Sequence, residues 1–206
     1  MTSARFLSFC LLAACISAGS ANAQPSCPNS ASWPFTSITV NDGASVGLVG
    51  HVNNGTFNDV GTYRAVLQFT ASPQAYNDLM NSVNSGCNQS VRQISDGSIN
   101  ILGNAAGRYI ARFQVFHVRP AVGGAVGFRR PLAAPIIDRG VAGATVHTHT
   151  PQLSRALLSR VRDTDEIEIE VLAEASGTVT TGSQFDQVNV QFLPSNLTPS
   201  LELTLP

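Results

Sequence analysis

The sequence predicts a β-rich α+β fold, two similar strand–helix–strand–strand–strand modules packed as one compact unit. Three observations predict it. Short runs of alternating apolar residues recur along the chain. Two amphipathic helix patterns begin at Ser72 and Thr150, 78 positions apart. Charged residues are sparse, at 12%. Alternation with period two is what a strand with one buried face requires, and apolar spacings of three and four are what a helix requires.

The first residues read as an export signal. Met1 to Arg5 carry one positive charge and no acid, and an apolar run continues from Phe6 to about Ala18. Ala21-Asn22-Ala23 then supplies the small side chains that signal peptidase admits. Cleavage after Ala23 is expected, making 1–23 a signal peptide and 24–36 an N-terminal arm. The apolar run is about 13 residues and a spanning helix needs about 20, so no transmembrane segment is expected in the mature chain. Leu12-Ala13-Ala14-Cys15 resembles a lipobox, which makes a lipoprotein anchored at Cys15 the alternative. Either route places the protein outside the cytoplasm, secreted or periplasmic.

Module 1 is expected over 37–115. Tyr63, Ala65, Leu67 and Phe69 alternate as a half-buried strand. A helix follows, capped by Ser72, opened by Pro73 and ended at Gly86, with Ala75, Tyr76, Leu79, Met80 and Val83 on one face. Val91–Ile94 and Ser98–Leu102 read as two strands joined at Asp96-Gly97, a strong hairpin dipeptide. Arg108–Val118 alternates as the last strand.

Module 2 is expected over 116–206. Ala144–His149 stands where the strand before the first helix stands. A second helix over 150–162 opens with Thr150-Pro151 and carries Leu153, Leu157, Leu158 and Val161. Ile167–Val171, Val188–Leu193 and Leu201–Leu205 follow as strands, the last at a sheet edge. Both helices begin Ser/Thr-Pro-Gln and both hold Val eleven residues after the cap, so an internal duplication is expected. The Gly-, Ala- and Pro-rich stretch 120–135 reads as the linker.

Composition narrows the function classes. The formal net charge is −1 and no basic stripe occurs, which disfavours nucleic acid. All twelve basic residues are arginine. The mature chain keeps Cys27 and Cys87, and an oxidising compartment favours their pairing. Closing a loop of about 60 residues stabilises a fold by roughly 4 kcal/mol in the chain-entropy view.

Three groups of residues are candidates for chemistry. His147-Thr148-His149 puts two imidazoles on one strand face about 7 Å apart, a start for a Zn or Cu site, with His117 or His51 as a third ligand. Arg108 and Arg112 share a strand face and suit a carboxylate or sulfate. Asp163, Asp165, Glu166, Glu168 and Glu170 form an acidic run. It lacks the spacing of a calcium loop and reads first as a solvated turn and a polar strand face. Three N-x-S/T sequons stand at Asn54, Asn88 and Asn196.

The leading expectation is therefore a secreted or periplasmic, non-enzymatic binding or structural module without a cofactor, as part of a surface assembly. Its partner is a protein or a small molecule, with self-association through the terminal strand as a further route. The alternative is a metal-dependent enzyme or metal carrier built on His147, His149 and His117.

Overall fold

The computed structural model describes residues 31–35, 37–40, 48–52, 55–140, 142–180, 186–194 and 199–204. In chain order the elements are β1 (Ala31–Pro34), β2 (Ser37–Val40), β3 (Leu48–Val52), β4 (Gly55–Gln68), α1 (Pro73–Ser85), β5 (Asn88–Leu102) and β6 (Ala105–Arg119). They continue with β7 (Phe128–Pro131), β8 (Ile136–Arg139), β9 (Gly143–His149), α2 (Arg155–Leu158), β10 (Glu166–Val179), β11 (Gln187–Pro194) and β12 (Ser200–Thr204). The strands form two antiparallel sheets. Sheet 1 has the order β1–β12–β5–β11–β3, with β9 also paired to β5. Sheet 2 has the order β2–β4–β10–β6–β7, with β8 also paired to β6.

The expected β-rich character is what forms, and the reason is visible along each long strand. In β4, Tyr63, Ala65 and Leu67 are buried while Thr62, Arg64 and Val66 are half-buried on the other face. In β10, Ile167, Ile169, Val171, Ala173 and Ala175 repeat the pattern. These rows meet Val188, Val190, Phe192, Leu201 and Leu203 of sheet 1 in one apolar core. Burying each such Leu, Ile or Phe side chain contributes on the order of 2 kcal/mol, which sets the two sheets face to face.

Helix α1 closes one end of that core with Ala75, Leu79 and Val83 buried. It stops at Gly86, whose φ of 82° is left-handed and whose N–H donates to the Ser82 carbonyl. The Arg155 guanidinium donates to the carbonyls of Gly86 (2.6 Å) and Cys87 (3.2 Å), placing a cation at the negative end of the helix.

The second expected helix is reduced to the four residues of α2. The stretch before it runs extended beside β5: Val91 N–H donates to the Pro151 carbonyl, Leu153 N–H donates to the Gln89 carbonyl, and Gln152 bridges to Ser90. The register is the one set by His149 opposite Gln93. Sheet hydrogen bonds have therefore taken the residues that the local pattern assigned to a first helical turn.

Asp96-Gly97 makes no turn. Strand β5 passes straight through it, because β9 pairs with 93–99 on one side and β11 pairs with 95–102 on the other. Glycine is needed there for space: a Cβ at Gly97 would run into the Tyr109 hydroxyl. The stretch 120–135 is not a free linker either. It contains β7, and Leu132 is buried with its N–H on the Val115 carbonyl. The last strand is no edge, since β12 lies between β1 and β5.

The halves are not separate layers. Pairings β4–β10, β10–β6, β6–β7, β9–β5, β5–β11 and β11–β3 each join a strand from 37–115 to one from 116–206. Sheet 2 contains the row β4–β10–β6–β7, and sheet 1 contains the row β9–β5–β11–β3.

Candidate functional site

His147 and His149 lie on the inner face of β9, opposite Ser95 and Gln93 of β5. Both turn to one carboxylate on the opposite sheet: His149 Nε2 is 2.9 Å from Asp138 Oδ2, and His147 Nδ1 is 3.5 Å from Asp138 Oδ1. Asp138 thus ties β8 of sheet 2 to β9 of sheet 1. The other nitrogen of His147, Nε2, is 2.7 Å from the Tyr109 hydroxyl. Burial, and then the charge of Asp138, push the Tyr109 pKa up. The phenol and Nε2 share one hydrogen bond, while Nδ1 of the same ring faces Asp138. His149 is also stacked on Phe113 at 4.9 Å.

Two glycines make this arrangement possible. A Cβ at Gly97 or at Gly140 would overlap the Tyr109 ring, so both positions form the seat of that ring. Beside the cluster, Gln93 Oε1 and Ser95 Oγ are buried without a hydrogen-bond partner among the described residues. Each such orphan costs about 1–3 kcal/mol.

The two imidazoles do not converge on one point as placed. The two imidazoles are parallel within 7°, stacked with centroids 6.2 Å apart. A metal lies in the plane of every imidazole that binds it, about 2 Å from the nitrogen, and two stacked parallel planes share no such point. His117 does not join them. Among the described residues, no group of three or more His, Cys, Asp or Glu side chains is placed to hold an ion. His51 falls in β3, opposite Asn189.

His117, fully buried on β6, belongs to a second cluster. Its Nε2 is 2.7 Å from Asp165 Oδ2. Arg119 grips the same carboxylate with Nε and Nη2, both at 2.7 Å, and the Arg162 N–H donates to it at 3.0 Å. Burial alone raises the Asp165 pKa, but the bonds from Arg119, His117 and the Arg162 backbone outweigh it and hold the pKa at about 2. Burial lowers the His117 pKa, against the pull of Asp165. His117 Nδ1 has no partner among the described residues.

The acidic run is dispersed. Asp165 is inside, Asp163 is exposed, and Glu166 accepts from Gln68 Nε2 at 2.9 Å. Glu168 and Glu170 hold arginines on the outer face of sheet 2: Arg129 Nη2 is 2.6 Å from Glu168 and 3.0 Å from Glu170, and Arg64 is 2.8 Å from Glu170. Arg129 also lies 3.3 Å above the Phe116 ring.

That outer face is where Arg108 and Arg112 sit, as their spacing predicts. Pairing across the sheet sets rows of neighbours: Thr62, Leu172, Arg112 and Ile137; then Val60, Glu174, Ile110 and Arg139; then Asn58, Ser176 and Arg108. Three shallow depressions mark it. One, of about 370 Å³, is lined by Arg112, Gln114, Phe116, Arg129, Glu170 and Leu172. A second, of about 310 Å³, includes Thr56, Asn58, Arg108, Ser176 and Thr178. A third, of about 230 Å³, lies between Val60, Arg108, Ile110 and Glu174.

Cys87 is fully buried behind α1. Cys27, the signal segment 1–23, Cys15 and the sequons at Asn54 and Asn196 lie outside the described residues, while Asn88 opens β5. Among the described residues, no helix is long and apolar enough to cross a membrane.

Asp138 and Tyr109 were not candidates from sequence, because their partners lie on the other sheet. The one available signal was inward alternation, which places Tyr109 on the buried face of β6 with Ala111 and Phe113.

No family model matches the chain, and no curated protein matches it. One solved structure, described as carbohydrate-binding modules of the β-sandwich superfamily, aligns with 79% of this chain at 12% identity and a TM-score of 0.23. The alignment spans about half (54%) of that structure's own chain. A likeness that loose carries no inference about this fold or its ligand.

Proposed function

We propose that this chain is an exported, non-enzymatic binding module that meets its ligand on the outer face of sheet 2. One observation carries the reading. The three depressions described above share that single face, and its rows supply guanidinium, amide, hydroxyl, carboxylate and apolar groups together. A few polar groups converging on a partly apolar surface are what a ligand site offers. The interior clusters, in contrast, spend their titratable groups on each other: Asp138 on two histidines, Asp165 on His117 and Arg119.

In the same reading, the signal peptide is removed after Ala23 and Cys27 pairs with Cys87 to pin the arm behind α1. The module works secreted or in the periplasm, as part of a surface assembly. The chain arose by duplication, and its copies are interleaved rather than side by side. Exchanging β4 with β9, β10 with β5, β6 with β11 and β7 with β3 turns the four-strand row β4–β10–β6–β7 of sheet 2 into the row β9–β5–β11–β3 of sheet 1. The unequal helices and registers are what divergence of two copies would leave.

Binding of a panel of neutral sugars, anionic sugars, acidic peptides and divalent cations to tag-free mature protein tests the reading. A ligand whose affinity falls at least tenfold in Leu172→Arg and is unchanged in His147→Ala supports it. A transition metal held one per chain and lost in His147→Ala/His149→Ala, or a ligand indifferent to Leu172→Arg, contradicts it.

A further inference from the structure

Three arginines on that face hold no acid. Arg108 donates to Ser176 Oγ at 3.1 Å and Arg112 to Gln114 Oε1 at 3.0 Å. Arg139 sits opposite Ile110, and Ile137 sits opposite Arg112. None of the three guanidinium groups lies within 4 Å of a carboxylate among the described residues, whereas Arg64, Arg119 and Arg129 are all ion-paired. Arg108, Arg112 and Arg139 are exposed. Strand geometry spaces Arg108 and Arg112 about 13 Å apart along β6, with Arg139 about 8 Å from each on the next strand. The result is a zigzag of unneutralised forks around Ile110 and the 55%-exposed Ile137.

We infer that this zigzag is a subsite for an extended carboxylated polysaccharide, a polyuronate. The inference rests on the outer face being the binding surface. A guanidinium fork matches the two oxygens of a planar carboxylate, and three forks at regular steps match a polymer with repeated carboxylates. The neighbours decide between polymers. Glu174 faces Ile110 across β10, and Asp59 and Asn58 line the same depression. Those acids repel an acidic peptide, which brings no donors except its main chain. A uronate polymer brings hydroxyl donors beside each carboxylate, so it satisfies the arginines and the acids in one pose. Ile110, Ile137 and Leu172 supply apolar contact for the sugar rings' C–H faces.

Polygalacturonate oligomers are the probe, titrated into full-length mature protein and followed by calorimetry. Neutral dextran, dextran sulfate and poly-glutamate are run beside them. Polygalacturonate is expected to bind, to weaken with added salt, and to lose about tenfold in affinity for each of Arg108→Gln, Arg112→Gln and Arg139→Gln. Arg92→Gln, the same charge change on sheet 1, is expected to leave binding unchanged. An unaltered melting temperature and circular dichroism spectrum keep each variant interpretable. Stronger binding of dextran, dextran sulfate or poly-glutamate that still depends on Leu172 overturns this inference and leaves the binding face intact. Polygalacturonate binding that ignores the three arginines also overturns it. Absence of binding by all four polymers overturns it as well, while small ligands lost in Leu172→Arg would preserve the face.

Discussion

Replacing Asp165 with asparagine should cost more stability than any single change on the surface of sheet 2. The carboxylate is buried to 1% exposure and satisfies His117 Nε2, both Arg119 nitrogens and the Arg162 N–H. Asparagine keeps the shape and removes the charge, leaving Arg119 without its counter-ion. Breaking a buried pair this way costs about 3–5 kcal/mol. Arg119 is partly open to water, so the low end, about 3 kcal/mol, is expected. For a chain of this size that is about 6–12 °C in melting temperature. The pH profile gives a second reading. Asp165 titrates at about 2 in the folded chain against an ordinary 3.8. As pH falls below 3.8 the unfolded chain takes the proton first, so the contribution is full above pH 4 and vanishes towards pH 2. The gap corresponds to roughly 2.5 kcal/mol. Urea unfolding followed by the fluorescence of Trp33, the only tryptophan, measures both effects. A variant with the wild-type midpoint, or one losing stability in parallel with wild type between pH 4 and 2, would refute the buried network as described.

Four further outcomes are expected. Gly97→Ala drives a methyl group into the Tyr109 hydroxyl and ring and should destabilise by about 1–3 kcal/mol. Tyr109→Phe should recover part of that loss in a double-mutant cycle, and strict additivity would contradict the contact. Asp138→Asn turns one of the two carboxylate oxygens that face His147 and His149 into an NH2 donor and removes the charge, and should lower stability by about 1.5–3 kcal/mol in thermal unfolding. His117→Asn should flatten the stability profile just below pH 6.5. Its folded pKa is lowered, so the wild-type chain loses stability as pH falls there; an unchanged slope would contradict this. Residues 24–115 and 116–206 expressed separately should each lack a cooperative unfolding transition, because nearly every long strand finds its partner in the other half; a cooperative melt of either fragment would contradict the interleaving.

Much of the strand pattern was legible in the sequence. Tyr63, Ala65 and Leu67 alternate because β4 has one buried face, and Pro73 and the left-handed Gly86 bound α1 by local chemistry, although the Ser72 side chain makes no capping hydrogen bond. Signals that depend on what lies across the sheet misled. Thr150-Pro151-Gln152 has good helix-start chemistry, yet β5 offers its main chain sheet bonds at Gln89 and Val91. Asp96-Gly97 is a turn dipeptide wherever the chain can reverse, but here strands on both sides hold it extended. The duplication hinted at by Ser72 and Thr150 suggested two neighbours; the pairing instead weaves the halves through both sheets. His147 and His149 do share a face. Their partner Asp138 comes from β8, a four-residue strand too short to announce itself. Arg139 was missed for the same reason, whereas Arg108 and Arg112 stand four apart on one long strand and were visible.

Methyl-resolved NMR of the protein during titration with polygalacturonate oligomers tests the binding face most directly. Leu172, Ile110, Ile137 and Val60 present methyl groups on the outer face of sheet 2, while Leu67, Ile167, Val188 and Leu203 are wholly interior. Shifts confined to the first group are the predicted result. Shifts centred on the methyl groups of Val146 in β9, beside His147, with the outer face silent, would contradict it.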